Sequence, residues 1–343
     1  MKAVIGWDIG GAHLKAARAE NGRIVDAVQV ASPLRLGLER LAQSFAEAKA
    51  AVGSAPRHAV TMTGELADTF ASRSEGVARL SDVAAHELGQ QALLYAGRSG
   101  FITLDRASDH VEDVASANWH ASASLVGQRL GAALFMDMGS TTTDIVPVAA
   151  GAVAARGYTD AERLTSGELV YTGLVRGFAM ATADRAPVAG QWTGLINENF
   201  ATMADVHRIL GSLSDGADQM MTADGRDKTV AASRARLARM VGRDPISIDD
   251  AGWAPLAQWF AEMQIRAVTD GALLVLSQCI LPADAPIVAA GIGDAVLREV
   301  ARRLGREHVA FETMLDVAPG ARQRASHCAP AAALAALASV DND

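Results

Sequence analysis

The same kind of turn occurs twice in this chain. Val4-Ile5-Gly6-Trp7-Asp8-Ile9-Gly10-Gly11-Ala12-His13-Leu14-Lys15 opens it, and Leu134-Phe135-Met136-Asp137-Met138-Gly139-Ser140-Thr141-Thr142-Thr143-Asp144-Ile145-Val146 repeats the scheme. In each, an apolar run ends in Asp, then comes x-Gly-Gly or x-Gly-Ser, then small or hydroxylated residues, then apolar residues again. Glycine lets backbone N–H groups approach an anion closely because no Cβ intervenes. An Asp at a strand end suits a hydrated cation. One such turn is ordinary, whereas two facing each other across a cleft grip a polyphosphate from both sides.

The flanking pattern is duplicated as well. Lys2 to Asp8, Leu14 to Glu20 and Ile24 to Val30 read as strands, with a hairpin turn at Asn21-Gly22. Leu134 to Met138, Asp144 to Ala149 and Ala152 to Tyr158 repeat that meander, with a turn at Gly151. A third glycine turn, Gly291-Ile292-Gly293-Asp294, joins a strand from Pro286 to Ala290 to a helix from Ala295 to Gly305. Apolar spacing predicts helices over Leu34 to Val52, Glu65 to Phe70, Leu80 to Tyr95, Ser122 to Leu130 and Ala329 to Val340. Between about 160 and 265 the pattern turns helical and charged, with Met203 to Leu213, Thr229 to Val241 and Ala254 to Ala283 as its helices.

Bulk properties restrict the partners. At 343 residues the chain has room for two domains, and a composition half hydrophobic and one-fifth charged is that of a globular enzyme. A net charge of −8, with no Lys/Arg run, argues against nucleic acid as the main partner. A polyanionic ligand must therefore be held by local donors and a metal. The apolar stretches are too short or too broken to span a bilayer, and Asp8 interrupts the place a signal peptide would need, so a cytoplasmic setting is expected. Cys279 and Cys328 are expected as buried free thiols.

The order of the three glycine turns resembles the actin, sugar-kinase and heat-shock-chaperone superfamily. That resemblance implies an α/β fold with two duplicated actin-like (ribonuclease-H-like) domains around a central cleft and a helical insertion in the second. The domains would be residues 1–130 and 131–343, with the insert at about 185–265 and the last helix packing back on the first domain. Asp137-Met138-Gly139-Ser140-Thr141-Thr142-Thr143-Asp144 looks like the second phosphate loop of hydantoinase/oxoprolinase-type proteins. Thr63-Gly64-Glu65-Leu66, Ser116-Ala117-Asn118-Trp119, Leu164 to Gly173 and Thr222-Ala223-Asp224-Gly225-Arg226 resemble the branch linked to tetrahydromethanopterin-dependent one-carbon transfer. Its archaeal members serve methanofuran biosynthesis. The resemblance implies coupling of an aminomethyl-furanmethanol diphosphate to the phenol of a tyramine- or tyrosine-type acceptor, with diphosphate released.

Site residues follow from these motifs. Asp8 and Asp137 either hold Mg²⁺ through water or cap their turns. Gly10, Gly11, Ala12, His13, Gly139, Ser140, Thr141, Thr142 and Thr143 are candidate phosphate contacts, and Gly291 and Gly293 join them unless they only connect strand to helix. Lys15 reaches a phosphate oxygen or faces solvent. The phenol needs a base, for which Glu65, Glu168, Asp144 and His13 are candidates, although either glutamate also suits a helix N-terminus and His13 also suits a phosphate. Asn118 and Trp119 are candidates for the acceptor pocket, with Trp119 equally suited to the core, and Arg226 is a candidate to meet a glutamyl carboxylate. An ATP-dependent small-molecule kinase of the same fold, with ATP and Mg²⁺ as cofactors, stays open as the alternative.

Overall fold

A computed structural model describes residues 2–340. Two six-stranded sheets carry the molecule. The first contains β1 (Ala3–Ile9), β2 (His13–Glu20), β3 (Arg23–Ala31), β4 (Arg57–Met62), β5 (Leu93–Tyr95) and β6 (Phe101–Thr103), in the order β3-β2-β1-β4-β5-β6. The second contains β7 (Ala133–Met138), β8 (Thr143–Ala149), β9 (Ala152–Val153) and β10 (Leu169–Val170). After a separate hairpin of β11 (Arg185–Val188) and β12 (Gln191–Gly194), β13 (Ile287–Gly291) and β14 (His308–Ala310) complete it in the order β10-β8-β7-β13-β14, with β9 on β8.

The two sheets share one plan. β1 pairs antiparallel with β2 and parallel with β4, and β7 pairs antiparallel with β8 and parallel with β13. Every residue of β1 and of β7 is buried, as expected for central strands covered on both faces. Equivalent positions follow from the registers: Asp8 faces Lys15 across β1–β2, and Asp137 faces Asp144 across β7–β8. Gly10 N–H donates to the His13 carbonyl at 2.9 Å and Gly139 N–H to the Thr142 carbonyl at 3.0 Å, so one hydrogen bond closes both turns.

Two helices lie between the sheets. Ala329–Val340 covers β1, β2 and β4, Asn118–Leu130 covers β7 and β8, and the two helices touch each other. Their small residues allow the close approach: a Cβ on Gly6 of β1 would overlap the Ala331 carbonyl oxygen. Val4, Trp119, Phe135, Val288 and Leu334 share the core that results.

Several expected elements are shifted. Glu65 to Phe70 forms turns, and the helix follows as Arg73–Leu88, where Ser72 caps its start by accepting from Glu75 N–H. It ends at Gly89, and Leu93–Tyr95 is strand because β4 and β6 pair with it. Only Ala152–Val153 of the expected strand to Tyr158 pairs, because the chain then turns toward the helix Asp160–Ser166. The region expected as helical from about 185 begins with the β11–β12 hairpin, whose Ala189-Gly190 turn takes positive φ at both residues. The long helix runs Asp250–Leu276, capped by Asp249, with Pro255 in its first turns. Cys279 is exposed and only Cys328 is buried, and both are free thiols. No described helix is long and apolar enough to cross a membrane.

Candidate active site

A cleft of about 400 Å³ opens between the sheets, and both acid-and-glycine turns line it. Asp8, Gly10, Gly11, Ala12, His13 and Lys15 come from the first turn, and Asp137, Gly139, Ser140, Thr141, Thr142 and Asp144 from the second. The backbone N–H groups of Gly11, Ala12, Ser140 and Thr141 have no partner among the described residues. A Cβ added to Gly11 would meet no protein atom within 4 Å, so that space is left to whatever the cleft holds.

The acids sit low in the cleft around one cation. Lys15 Nζ lies 3.6 Å from Asp8 Oδ2. Burial pulls the Lys15 ammonium down, but Asp8, Asp137 and Asp144 together hold it above its usual value. Burial raises Asp8 against the pull of Lys15 and Asn118. It pushes Asp137 up to about 7, where Lys15 pulls it down and Asp144 and Asp8 add to the rise. His13 goes the other way, to about 4, through burial and the nearby Lys15 and Arg176 charges, so it is neutral at pH 7. Asp8 Oδ1, His13 Nε2 and Ser140 Oγ are all buried without a partner among the described residues. Orphaned polar atoms of this kind are costly unless a ligand completes them.

Asp144 is committed elsewhere. Arg163 Nη2 donates to Asp144 Oδ1 at 2.9 Å and to the Glu168 carbonyl at 2.9 Å, while its guanidinium stacks 4.0 Å above the Trp119 ring centroid. This ion pair fixes the edge of the second turn and the aromatic wall together. Trp119 lines the cleft while only 2 % exposed, and Asn118 beside it opens the helix Asn118–Leu130.

Other expected site residues lie elsewhere. Glu168 is fully buried: its carboxylate accepts from Arg156 N–H, Gly157 N–H and Ser166 Oγ at 2.7–2.8 Å, which makes it a loop anchor and no base. Thr143 turns away from the cleft and donates to the Thr172 carbonyl at 2.7 Å. Gly291 and Gly293 are absent from the cleft wall and pack beneath the second turn, where a Cβ on either would overlap Met138. Arg226 is exposed in a surface turn and does not line the cleft, and Asp224 of that motif instead holds Arg236 and Arg239. Glu65 is also off the wall, but Ser116, a residue of the wall, donates through Oγ to Glu65 Oε1 at 2.7 Å.

Three cationic residues were not singled out by sequence. Arg35, Arg163 and Arg176 all line the cleft, Arg176 Nη1 donating to Thr141 Oγ1 at 3.2 Å and the Arg163 guanidinium stacking on Trp119. Arg176 follows shortly after the Tyr171-Thr172-Gly173 motif, a weak signal. Arg35 had none.

Two sheets of one plan, each presenting a strand-end acid and a glycine turn to a shared cleft, define the actin-like superfamily fold. Within it the chain belongs to the hydantoinase/oxoprolinase family, whose model matches residues 57–337. The chain is 27% identical, over 86% of its length and 88% of the relative's, to (4-{4-[2-(gamma-L-glutamylamino)ethyl]phenoxymethyl}furan-2-yl)methanamine synthase of Methanocaldococcus jannaschii. The synthase of the same name from Methanococcus vannielii is 27% identical over 51% of this chain and 77% of its own. Among solved structures, nucleotide-free acetone carboxylase shares the fold, with a TM-score of 0.61, 12% identity, and coverage of 96% of this chain and 70% of that one.

Proposed function

We propose that the chain is an enzyme that joins an aminomethyl-furanmethanol diphosphate to the phenol oxygen of a tyramine- or tyrosine-type acceptor and releases diphosphate, as a step in methanofuran or methylofuran assembly. The observation that carries this is the convergence of both acid-and-glycine turns, with their unpartnered donors, on one cleft that also holds an aromatic wall. The two synthases support the reaction class, since the compound in their name is a furanylmethyl aryl ether with a γ-glutamylaminoethyl arm.

The chemistry suits these residues. The bond from the furfuryl carbon to the diphosphate oxygen breaks, and its electron pair leaves with diphosphate. The furan oxygen shares the positive charge left on carbon. The phenol oxygen bonds to that carbon and gives up its proton. Most of the difficult charge collects on the departing diphosphate, where preorganised donors act most strongly. Lys15, the free N–H groups of Gly11, Ala12, Ser140 and Thr141, the hydroxyls of Ser140, Thr141 and Thr142, and neutral His13 are the donors in reach of the cleft. Arg35 and Arg176 add positive charge.

Asp8, whose buried Oδ1 has no partner among the described residues, and Asp137 both line the cleft and fit a Mg²⁺ that keeps most of its water shell. Mg²⁺ held there would neutralise charge on the leaving diphosphate. Trp119, Asn118 and Tyr171 form the wall suited to the phenolic acceptor.

The test is direct. Purified protein is incubated with Mg²⁺, the furan diphosphate and a tyramine-type acceptor without ATP, and separately with Mg²⁺, ATP and the alcohol. Diphosphate release and the ether mass are expected in the first tube only. Phosphate transfer from ATP in the second, with no ether in the first, would replace the transferase by a kinase.

A further inference from the structure

Ser116 and Glu65 are 51 residues apart and meet at 2.7 Å, with the serine hydroxyl donating. Ser116 faces the cleft, and Glu65 lies behind it, only 1 % exposed. The direction of this hydrogen bond matters. With its hydrogen committed to the carboxylate, Ser116 Oγ has its lone pairs free for a proton arriving from the cleft. Among the described residues Glu65 Oε2 has no side-chain or backbone hydrogen-bond partner.

Both ends are held in place. A Cβ on Gly76 would overlap the Glu65 backbone, and Gly64 packs against Gly10 and Ile9 of the first turn. Ser116 sits at φ +54, a left-handed conformation that few serines adopt, so the surrounding structure fixes its hydroxyl at a cost. The duplication sharpens the point. The β1–β4 and β7–β13 registers make Asp294 the counterpart of Glu65, and Asp294 is occupied by His308 at 2.7 Å and Arg298 at 2.8 Å. In the first half the equivalent acid has, among the described residues, the Ser116 hydroxyl as its one side-chain hydrogen-bond partner.

Resting on the transferase reading, we propose that Ser116 takes the phenolic proton of the acceptor while passing its own proton to Glu65. As the phenol oxygen bonds to the furfuryl carbon, its proton moves to Ser116 Oγ, the Ser116 proton moves to Glu65 Oε1, and the furfuryl–diphosphate bond breaks with its electrons on diphosphate. Ser116 ends unchanged, and Glu65 ends protonated until it returns the proton to solvent. Ser116 is the residue in contact with the acceptor, and Glu65 acts through it. Burial holds Glu65 at about 7, modestly offset by the Ser116 hydrogen bond, which suits a proton acceptor at neutral pH. The charges facing it are Asp160, which raises it, and Arg73, which lowers it, and these two lie 3.9 Å apart.

The experiment measures kcat/KM against pH for the wild type, Glu65→Gln and Ser116→Gly, with a tyramine-type acceptor and its ring-fluorinated, more acidic analogue. Glycine keeps the left-handed backbone at 116 and removes only the hydroxyl. The wild type should lose activity below an acid limb near pH 7. Both variants should lose that limb and slow by about 10²–10⁴-fold with the ordinary phenol. Most of the deficit should vanish with the fluorinated phenol above its pKa, which arrives without a proton. Variants that keep the wild-type rate and limb, or that are equally slow with both phenols, would overturn the relay. A wild type inert toward both phenols would overturn the transferase reading instead. If Glu65→Gln does not fold, Ser116→Gly decides alone.

Discussion

Lys15 and Asp144 occupy the same place in the two halves, each opposite the strand-end acid of its turn. One is a cation and the other an anion, so the duplicated scaffold is electrically asymmetric at the cleft. Single residues also bring their protons into the stability of the fold. The carboxyl of Glu65 has its folded pKa raised from 4.5 to about 7, so the folded state binds that proton more tightly than the unfolded chain does. Its contribution is therefore complete below about pH 4.5 and is lost as pH rises through 7. Glu65→Gln lacks this term. Urea unfolding from pH 5 to 8 should show the variant gaining on the wild type by up to about 3 kcal/mol. A difference that stays constant with pH would mean that Glu65 is not held protonated by burial. His13 opposes this trend in the wild type: its pKa is lowered to about 4, so its share is present above 6.5 and is lost on acidification.

At the scale of elements, glycines decide how closely layers approach. Gly6 lets the helix Ala329–Val340 lie directly on β1, and a Cβ there would overlap backbone atoms of Ala331, which have no rotamer to yield. Gly6→Ala should cost about 1–3 kcal/mol and lower the calorimetric midpoint by several degrees. An unchanged midpoint would show the helix free to shift. Gly291 and Gly293 work the same way beneath the second turn, so the third glycine turn, which reads like a phosphate motif, is a packing device. Helix ends were readable where a cap was local, as at Gly53, and were misread where a long-range pairing claimed residues for a strand, as at Leu93–Tyr95.

For the whole molecule, the two turns share one cleft because both sheets present them to it. A ligand that binds both should tie the halves together. Mg²⁺ with inorganic diphosphate at a hundred times its Kd should add about 2.7 kcal/mol and raise the melting temperature by several degrees. Asp137→Asn should lose most of that shift. An equal shift without Mg²⁺ would remove the metal assignment. The Arg73–Asp160 pair and the Gln219 side chain, which donates to the Gln29 carbonyl at 3.1 Å, are contacts between the halves that such binding would reinforce.

The amino-acid sequence alone determined the first meander, the first two strands of the second, both acid-and-glycine turns and the last helix, since each depends on residues a few places apart whose turn chemistry and periodicity are local. It did not determine which carboxylate lies against the cleft wall. Glu65 and Glu168 stand in the same x-Gly-Glu-Leu context, yet one received a single cleft-facing hydroxyl and the other two backbone N–H groups and a serine. That difference comes from Ser116, Arg156 and Gly157, which chain connectivity leaves free and only packing brings into contact. The same holds for Arg163 on Trp119 and for Arg35 at the rim. A side chain's chemistry here is set by its partners, and those partners are supplied by the tertiary fold.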